Sequence, residues 1–224
     1  MNITMLLRVA LLLTGLSFLA SAPEAQERRA PDAIARALQA RYQGIRDFSA
    51  DFVQTYRGGV LRTQTSERGT VAIKKPGRMR WLYTSPERKE FVSDGQKIYS
   101  YLIQDRQVIV APLPPDDQAT TPALFLTGKG DISRDFVAAY ADTPPPGVTA
   151  LKLTPRRSES EYEYLVVTID PGTLQIRALT TRDRQGGDST LTFTNLKENT
   201  GISDKEFVFR VPRGVDVITD GTNK

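Results

Sequence analysis

The sequence predicts a mainly β protein built on one largely antiparallel sheet. Segments in which apolar and polar residues alternate recur along most of the chain, and this period of two is typical of strands with one buried face. Turn-forming dipeptides such as Pro76-Gly77 and Asp94-Gly95 separate these segments. Helical periodicity is confined to a few short stretches that do not alternate with the strands, which argues against a parallel sheet with crossover helices.

One amphipathic helix precedes the first strand. Pro31-Asp32 opens it, with Asp32 as the expected N-cap, and Gly44 is the expected C-terminal stop. The apolar residues between and just after these positions recur at near-helical spacing and are Ile34, Leu38, Tyr42 and Ile45. We expect this apolar stripe to pack on the sheet.

Two early strands carry an aromatic face. The first strand presents Phe48 and Phe52 at alternating positions. The strand after Pro76-Gly77 contains the only tryptophan of the chain. Its apolar face carries Met79, Trp81 and Tyr83, and its basic face carries Arg78 and Arg80. These strands predict a sheet with one strongly apolar side.

The remaining strands follow in two groups separated by an insertion. They are predicted at 60–65, 70–74, 90–92, 97–103 and 107–110, and then at 148–154, 162–169, 174–182 and 189–196. The insertion contains a short helix from Thr121-Pro122 to Leu126 and a second helical stretch at 133–140. Alternation alone does not decide whether Tyr99 and Tyr101 point towards or away from the core.

Residues 1–22 have the features of a secretory signal peptide. Arg8 precedes an apolar run at 9–20, and Ala20-Ser21-Ala22 has the form of a cleavage site. The run is too short to span a bilayer comfortably. We expect export, a single domain over 23–219 and a frayed tail at 220–224.

Composition excludes several classes of function. The chain has no histidine and no cysteine, which removes thiol nucleophiles, histidine acid-base chemistry and most zinc sites. Its formal net charge of +4 is too small to indicate nucleic-acid binding. We found no calcium loop, no phosphate loop and no serine nucleophile elbow. We therefore expect no cofactor, no metal and no catalysis; a secreted hydrolase using Ser, Lys or Asp is a distant alternative. The default expectation is a monomer.

Five pieces of the sequence occur in an order that is typical of a known family. They are the Phe48-x-x-x-Phe52-x-Gln54 strand, Lys75-Pro76 with Trp81, Val92-Ser93-Asp94-Gly95, the helix from Thr121-Pro122 to Leu126, and Phe207-x-Phe209-x-x-Pro212-x-Gly214-Val215-x-Val217. Together they resemble the LolA family of outer-membrane lipoprotein carriers, which act in the bacterial periplasm. The resemblance implies an unclosed antiparallel β-barrel, a strongly curved sheet whose concave apolar side is covered by short α-helices.

The resemblance also implies a function without catalysis. Family members accept acylated lipoproteins from an inner-membrane ABC transporter complex and deliver them to an outer-membrane receptor lipoprotein. The ligand is the triacylated N-terminus of the cargo. A LolA-like carrier or sensor of another lipid or glycolipid is the alternative. For either ligand we expect a loosely packed cavity gated by short helices.

Two sets of candidate site residues follow. The expected lipid-binding residues are Phe48, Phe52, Met79, Trp81, Leu124, Phe125 and Leu126. The alternative is that these side chains only fill a core. The expected partner-docking residues are Lys75, Pro76 and Arg78, and the alternative is a solvated turn. Lys75 stands where the family usually has an arginine, so a role that needs bidentate hydrogen bonds is in doubt.

Overall fold

One twelve-stranded sheet organises the protein. The computed structural model describes residues 29–58, 63–114, 126–128 and 130–219. The strands are β1 (Asp47–Gly58), β2 (Thr63–Lys74), β3 (Arg78–Ser85), β4 (Lys89–Asp94), β5 (Lys97–Leu102), β6 (Gln107–Pro112), β7 (Phe136–Tyr140), β8 (Thr149–Pro155), β9 (Tyr162–Ile169), β10 (Ile176–Asp183), β11 (Gly187–Glu198) and β12 (Asp216–Thr219). Their order in the sheet is β12-β6-β5-β4-β3-β2-β1-β11-β10-β9-β8-β7.

The sheet is the predicted unclosed, strongly curved antiparallel β-barrel. Every neighbouring pair is antiparallel except β12, which pairs with β6 in parallel. The edge strands β12 and β7 do not pair with each other in the described part of the chain. Most contacts join sequence neighbours, as expected for a chain of hairpins.

Short helices lie against the inner face of this sheet. They are α1 (Pro31–Gln43) and α2 (Ile132–Asp135), while a 3₁₀ helix (Asp204–Phe207) lies on the outer side. The N-cap of α1 is Ala30, not the predicted Asp32. Pro31 occupies the first helical position, where its fixed φ and missing N–H fit the helix start, so Asp32 lies in the first turn.

The register places the Phe52 ring on the inner face beside a glycine of the next strand. Phe52 of β1 lies opposite Gly69 of β2 and Phe193 of β11. A Cβ added at Gly69 would lie 1.9 Å from the backbone oxygen of Leu82 and 3.0 Å from the Phe52 ring. A side chain at position 69 would therefore push β3 away from β2.

The face of β5 that carries Tyr99 and Tyr101 is the outer face. Tyr99 stacks on Phe209 with ring centroids 5.3 Å apart, and Tyr101 meets the same ring edge-on at 5.9 Å. Ile98 points the other way and packs against the core. A segment after β11 thus crosses the outer face.

This segment, residues 199–219, is called the strap below. Its start is held by the buried carboxylate of Asp47, which accepts hydrogen bonds from the backbone N–H groups of Thr200 at 2.8 Å and Gly201 at 3.1 Å. Lys74 forms an ion pair with Asp204 at 2.6 Å. The strap is therefore tied to β1 and β2 by charged groups.

Two predicted elements differ from the structure. The separate strands at 60–65 and 70–74 were wrong within the described residues, because β2 is continuous and pairs with β1 along its whole length. The helix predicted at 133–140 ends at Asp135, and β7 follows. Phe136, Ala138 and Tyr140 pack against the core at every second position, which is the period of a strand.

Several predictions fall outside the described residues. They are the signal peptide at 1–22, the tail at 220–224, and the helix before Leu126 with Leu124 and Phe125. Among the residues that are described, no helix has the length and hydrophobicity needed to cross a membrane.

Candidate functional site

An aromatic cluster forms the centre of the inner face. Phe52 meets Trp81 and Tyr83 edge-on, with ring centroids 5.1 and 4.9 Å apart. The Trp81 ring lies 6.4 Å from that of Phe193. Edge-to-face pairs of this kind add to the stabilisation that burial alone provides. Three strands, β1, β3 and β11, thereby contribute rings to one apolar surface.

The structure brings together the described residues that were predicted to bind lipid. Phe48, Phe52, Met79 and Trp81 all point to the inner face, and none is more than 5% exposed. Leu126 belongs to the same cluster. In this conformation they do fill a core, and the loosely packed cavity that we expected is not seen among the described residues. Helices lie over these side chains in the described part of the chain.

Those helices, with the turn at 126–128, are called the cover. Leu38 of α1 is completely buried against the sheet, and Ile132 of α2 is 1% exposed. The Gln39 side-chain oxygen of α1 accepts a hydrogen bond from the Ile132 N–H at 3.0 Å, which joins the two helices. The interface of the cover with the sheet is thus mainly apolar.

Lys75 joins three parts of the site. Its ammonium donates to the backbone oxygen of Tyr42 in the last turn of α1 and lies 5.5 Å from the centre of the Tyr42 ring. A Cβ added at Gly128 would lie 2.8 Å from Lys75 Cδ, so the lysine stem runs directly beside this glycine. The N–H of Gly77 donates to the oxygen of Thr127 at 3.2 Å. The turn after β2 therefore contacts both α1 and the 126–128 turn.

Two electrostatic effects act on this link in opposite directions. Cations are favoured near the C-terminus of a helix, where the last carbonyl groups carry partial negative charge. Burial lowers the pKa of Lys75, because the ammonium loses water when it enters this position.

The three predicted docking residues differ in how far they are buried. The solvated-turn interpretation was wrong for Lys75, which is half-buried and bonded inside the protein. Pro76 is exposed, and Arg78 is half-buried at the start of β3. Docking by these residues stays a prediction.

Three polar side chains are joined by hydrogen bonds at the edge of the aromatic cluster. The Tyr83 hydroxyl donates to the side-chain oxygen of Gln54 at 2.6 Å, and the Gln54 amide donates to Ser189 at 3.1 Å. Burial, and secondarily the charge of Glu67, raises the pKa of Tyr83, so its hydroxyl stays protonated. The sequence shows Gln54 only as part of a motif, and its hydrogen-bond partners have no sequence signal because they come from two other strands.

Beside the strap, the outer face of the sheet is more polar than the inner face. A groove of about 980 Å³ opens there beside the strap. Its lining includes Asp51, Arg80, Lys197 and Glu206. Charged walls of this kind do not suit an acyl chain. In the described part of the chain, no group of three or more acidic side chains is placed to hold a metal ion.

Comparison with known proteins identifies relatives over most of the chain. The sequence profile of the family described as "Outer membrane lipoprotein carrier protein LolA" matches residues 43–210. An outer-membrane lipoprotein carrier protein of Chromohalobacter salexigens is 33% identical over 189 residues, covering 84% of this chain and 87% of the relative. One of Cupriavidus taiwanensis is 30% identical over 184 residues, covering 81% and 85%.

A solved structure supports the fold. An uncharacterized conserved protein from Thermus thermophilus superposes with a TM-score of 0.52 at 15% identity. The match covers 83% of this chain and 98% of that one. At this identity the similarity concerns the fold alone.

Proposed function

Because the chain belongs to the LolA family of outer-membrane lipoprotein carrier proteins, we propose that it carries acylated lipoproteins through the periplasm. The acyl chains bind between the inner face of the sheet and the cover. Cargo comes from an inner-membrane ABC transporter complex and passes to an outer-membrane receptor lipoprotein. The proposed mature domain is 23–219, after removal of the signal peptide.

The observation that carries this proposal is the apolar interface between the cover and the sheet. On one side lies the aromatic cluster of β1, β3 and β11, and on the other lie the apolar residues of the cover. No strand pairing joins the cover helices to the sheet among the described residues; apolar contacts, the Lys75 bond and the Arg41–Glu198 ion pair do. An acyl chain can replace the apolar contacts with contacts of the same kind.

Magnitudes favour partial burial of the lipid. One acyl chain of about fifteen methylenes is worth roughly 12 kcal/mol if fully buried, at about 0.8 kcal/mol per methylene. Three such chains would exceed the practical limit of about 20 kcal/mol for noncovalent binding. Moving the cover off the sheet exposes apolar surface and lowers the net affinity further. A carrier of this kind can give up its cargo to a receptor that binds the chains more favourably.

Purification of the protein from its own periplasm, followed by mass spectrometry of what accompanies it, tests the proposal. We expect lipoproteins with acylated N-termini. Recovery of a free lipid or glycolipid instead would favour the alternative cargo. Recovery of no acylated molecule, together with no binding of a synthetic triacylated lipopeptide, would contradict the carrier function. Turnover of a generic ester, peptide or glycoside that one point substitution abolishes would favour the hydrolase.

Two substitutions on one strand give a matched control. Met79 and Leu82 of β3 point to the inner and the outer face, respectively. Met79→Gln keeps a flexible side chain of similar length but places an amide among the acyl chains, so we expect weaker lipopeptide binding. Leu82→Gln should leave binding unchanged. Circular dichroism checks that both variants fold, and equal binding by the two would argue against the inner face as the site.

A further inference from the structure

Among the described residues, five buried side-chain polar atoms lack a hydrogen-bond partner. They are Trp81 Nε1, Glu90 Oε1, Tyr162 Oη, Arg182 Nε and Glu198 Oε1. The two glutamates and the arginine already make ion pairs through their charged groups. Trp81 and Tyr162 remain as inner-face side chains whose single polar group has no partner among the described residues.

The indole of Trp81 is the more demanding of the two. It is 4% exposed and lies between the rings of Phe52 and Phe193. An indole N–H is a donor only, and its direction is fixed by the ring, whereas a tyrosine hydroxyl can rotate. Buried tryptophans usually find an acceptor, because an unpaired buried donor is costly. A phenylalanine would fill an apolar core without this cost.

The hydroxyl of Tyr83 provides a contrast to the N–H of Trp81. Tyr83, two residues along the same face, has its hydroxyl bonded to Gln54 at 2.6 Å. Within the described residues, the fold thus supplies an acceptor to Tyr83 and none to the neighbouring Trp81. A donor left open in an otherwise apolar site is complementary to a ligand that is apolar along its length and carries an acceptor at one point.

We propose that the Trp81 N–H donates to an ester or amide carbonyl oxygen at the root of a bound acyl chain. This inference rests on the proposed function and specifies it further. Hydrocarbon walls bind any alkyl chain of suitable length, whereas a single fixed donor distinguishes an acyl chain from an alkyl chain. Trp81 is then the residue that determines specificity for carbonyl-linked chains and places the root of one chain next to β3.

The experiment uses the fact that the chain has one tryptophan. Growth on benzothienylalanine replaces the N–H of this residue by sulfur and keeps the shape of the ring. Two probes are compared, a triacylated lipopeptide and an uncharged analogue in which the same three chains are all attached through ether links, so that the probes differ in carbonyl groups and not in charge. We expect the normal protein to bind the acylated probe about tenfold more tightly. The sulfur-containing protein should bind both probes equally.

Ultraviolet resonance Raman spectroscopy of the indole N–H gives a second readout. The band should report a free N–H in the ligand-free protein, a hydrogen-bonded N–H with the acylated probe, and a free N–H with the ether-linked analogue. An N–H that is already hydrogen-bonded without ligand would overturn the inference. So would equal affinity of the normal protein for both probes.

These outcomes separate the two proposals. If neither probe binds, the carrier function itself fails. If both bind equally with an unchanged indole band, only the role of Trp81 fails. Tyr101→Phe serves as the control, because Tyr101 is an aromatic residue of the outer face, where it packs against Phe209. This variant should keep the preference for carbonyl-linked chains, and loss of the preference would assign the effect to general disturbance of the sheet.

Discussion

The cover on the inner face and the strap on the outer face are attached to the same sheet by different balances of contacts. The strap is held by the charged groups of Asp47, Lys74 and Arg80, the last donating to the oxygen of Glu206 at 2.8 Å, and also by ring stacking and by the pairing of β12 with β6. The cover is held mainly by buried apolar side chains, together with the Lys75 link and an ion pair of 2.8 Å between Arg41 and Glu198. Acyl chains can substitute for the apolar contacts of the cover but not for ion pairs or strand pairing.

The consecutive residues Lys74 and Lys75 bond to different segments, one to the strap and one to the cover. Lys74 bonds to the oxygen of Ile202 in the strap, at 2.8 Å, and Lys75 bonds to the oxygen of Tyr42 in the cover. Each lysine secures one of the two segments at the end of β2. We infer that binding of lipid moves the cover and leaves the strap in place. The following predictions test this difference between the two faces.

The largest effect is expected from Leu38→Ala in the cover. Leu38 is fully buried, so the substitution should lower the free energy of unfolding by about 3 kcal/mol, through lost burial and the cavity left behind. A saturating triacylated lipopeptide should reduce this deficit to about 1 kcal/mol, because in the loaded protein the helix no longer rests on the sheet. Urea unfolding with and without the lipopeptide measures both values. A deficit that does not change with lipid would mean that the cover stays where it is.

Asp47→Asn tests the strap in the same assay. The amide keeps one acceptor oxygen but turns an N–H donor towards the backbone N–H groups of Thr200 and Gly201, so we expect a loss of about 2 kcal/mol. Lipid should not change this loss. Asp51→Asn is the control, because Asp51 is exposed and should cost less than about 0.5 kcal/mol. A lipid-dependent deficit at Asp47 would contradict the distinction between cover and strap.

A smaller and local effect is expected from Lys75→Met. Methionine keeps the apolar stem beside Gly128 and removes the ammonium that donates to Tyr42. Amide exchange in α1 should become about fivefold faster, corresponding to about 1 kcal/mol of local opening. Lys74→Met is the matched control. It should speed exchange in the strap and leave α1 unchanged, and the opposite pattern would show that the two lysines have been assigned to the wrong segments.

Patterns of neighbouring residues predicted the strands of the sheet better than they predicted how the cover and the strap are attached to it. The alternation of Met79, Trp81 and Tyr83 correctly gave the apolar face of β3, and Asp94-Gly95 forms the expected turn, in which Asp94 accepts from the N–H groups of Gln96 and Lys97. These features depend on residues close in sequence. The helix expected at 133–140 was correct only to Asp135, because pairing with β8 makes the rest of the segment a strand.

The role of Lys75 was beyond the reach of sequence. Its ammonium meets a backbone oxygen that lies 33 residues away, and a backbone acceptor has no sequence signal. The inward or outward direction of Tyr99 and Tyr101 depended on Phe209, which lies on a distant segment. The unpaired N–H of Trp81 is likewise a property of its surroundings in the fold.

The smallest effect is expected at the loop between β9 and β10, which accepts a hydrogen bond from α1 of the cover. Arg41 of α1 donates to the oxygen of Thr173 at 2.6 Å, and the carboxylate of Asp170 orders this loop. Hydrogen bonds from the Thr173 N–H and then from Arg177 lower the pKa of Asp170 to about 2. Since the folded protein favours the charged form, its stabilisation is complete above the ordinary pKa near 3.8 and is lost as the pH falls towards 2.

Asp170→Asn should therefore lower the free energy of unfolding at neutral pH by less than the substitutions above, because the carboxylate is partly exposed and solvent screens its interactions. The difference between the two proteins should shrink below about pH 4 and vanish near about pH 2. Urea unfolding over this range measures it, and a difference that stays constant down to about pH 2 would show that the amide itself, not the lost charge, disturbs the loop. The same loop accepts a hydrogen bond from Arg41, so amide exchange at the C-terminal end of α1 should become slightly faster in the variant at neutral pH. The strap makes no contact with this loop among the described hydrogen bonds. Its amide exchange should therefore be unchanged.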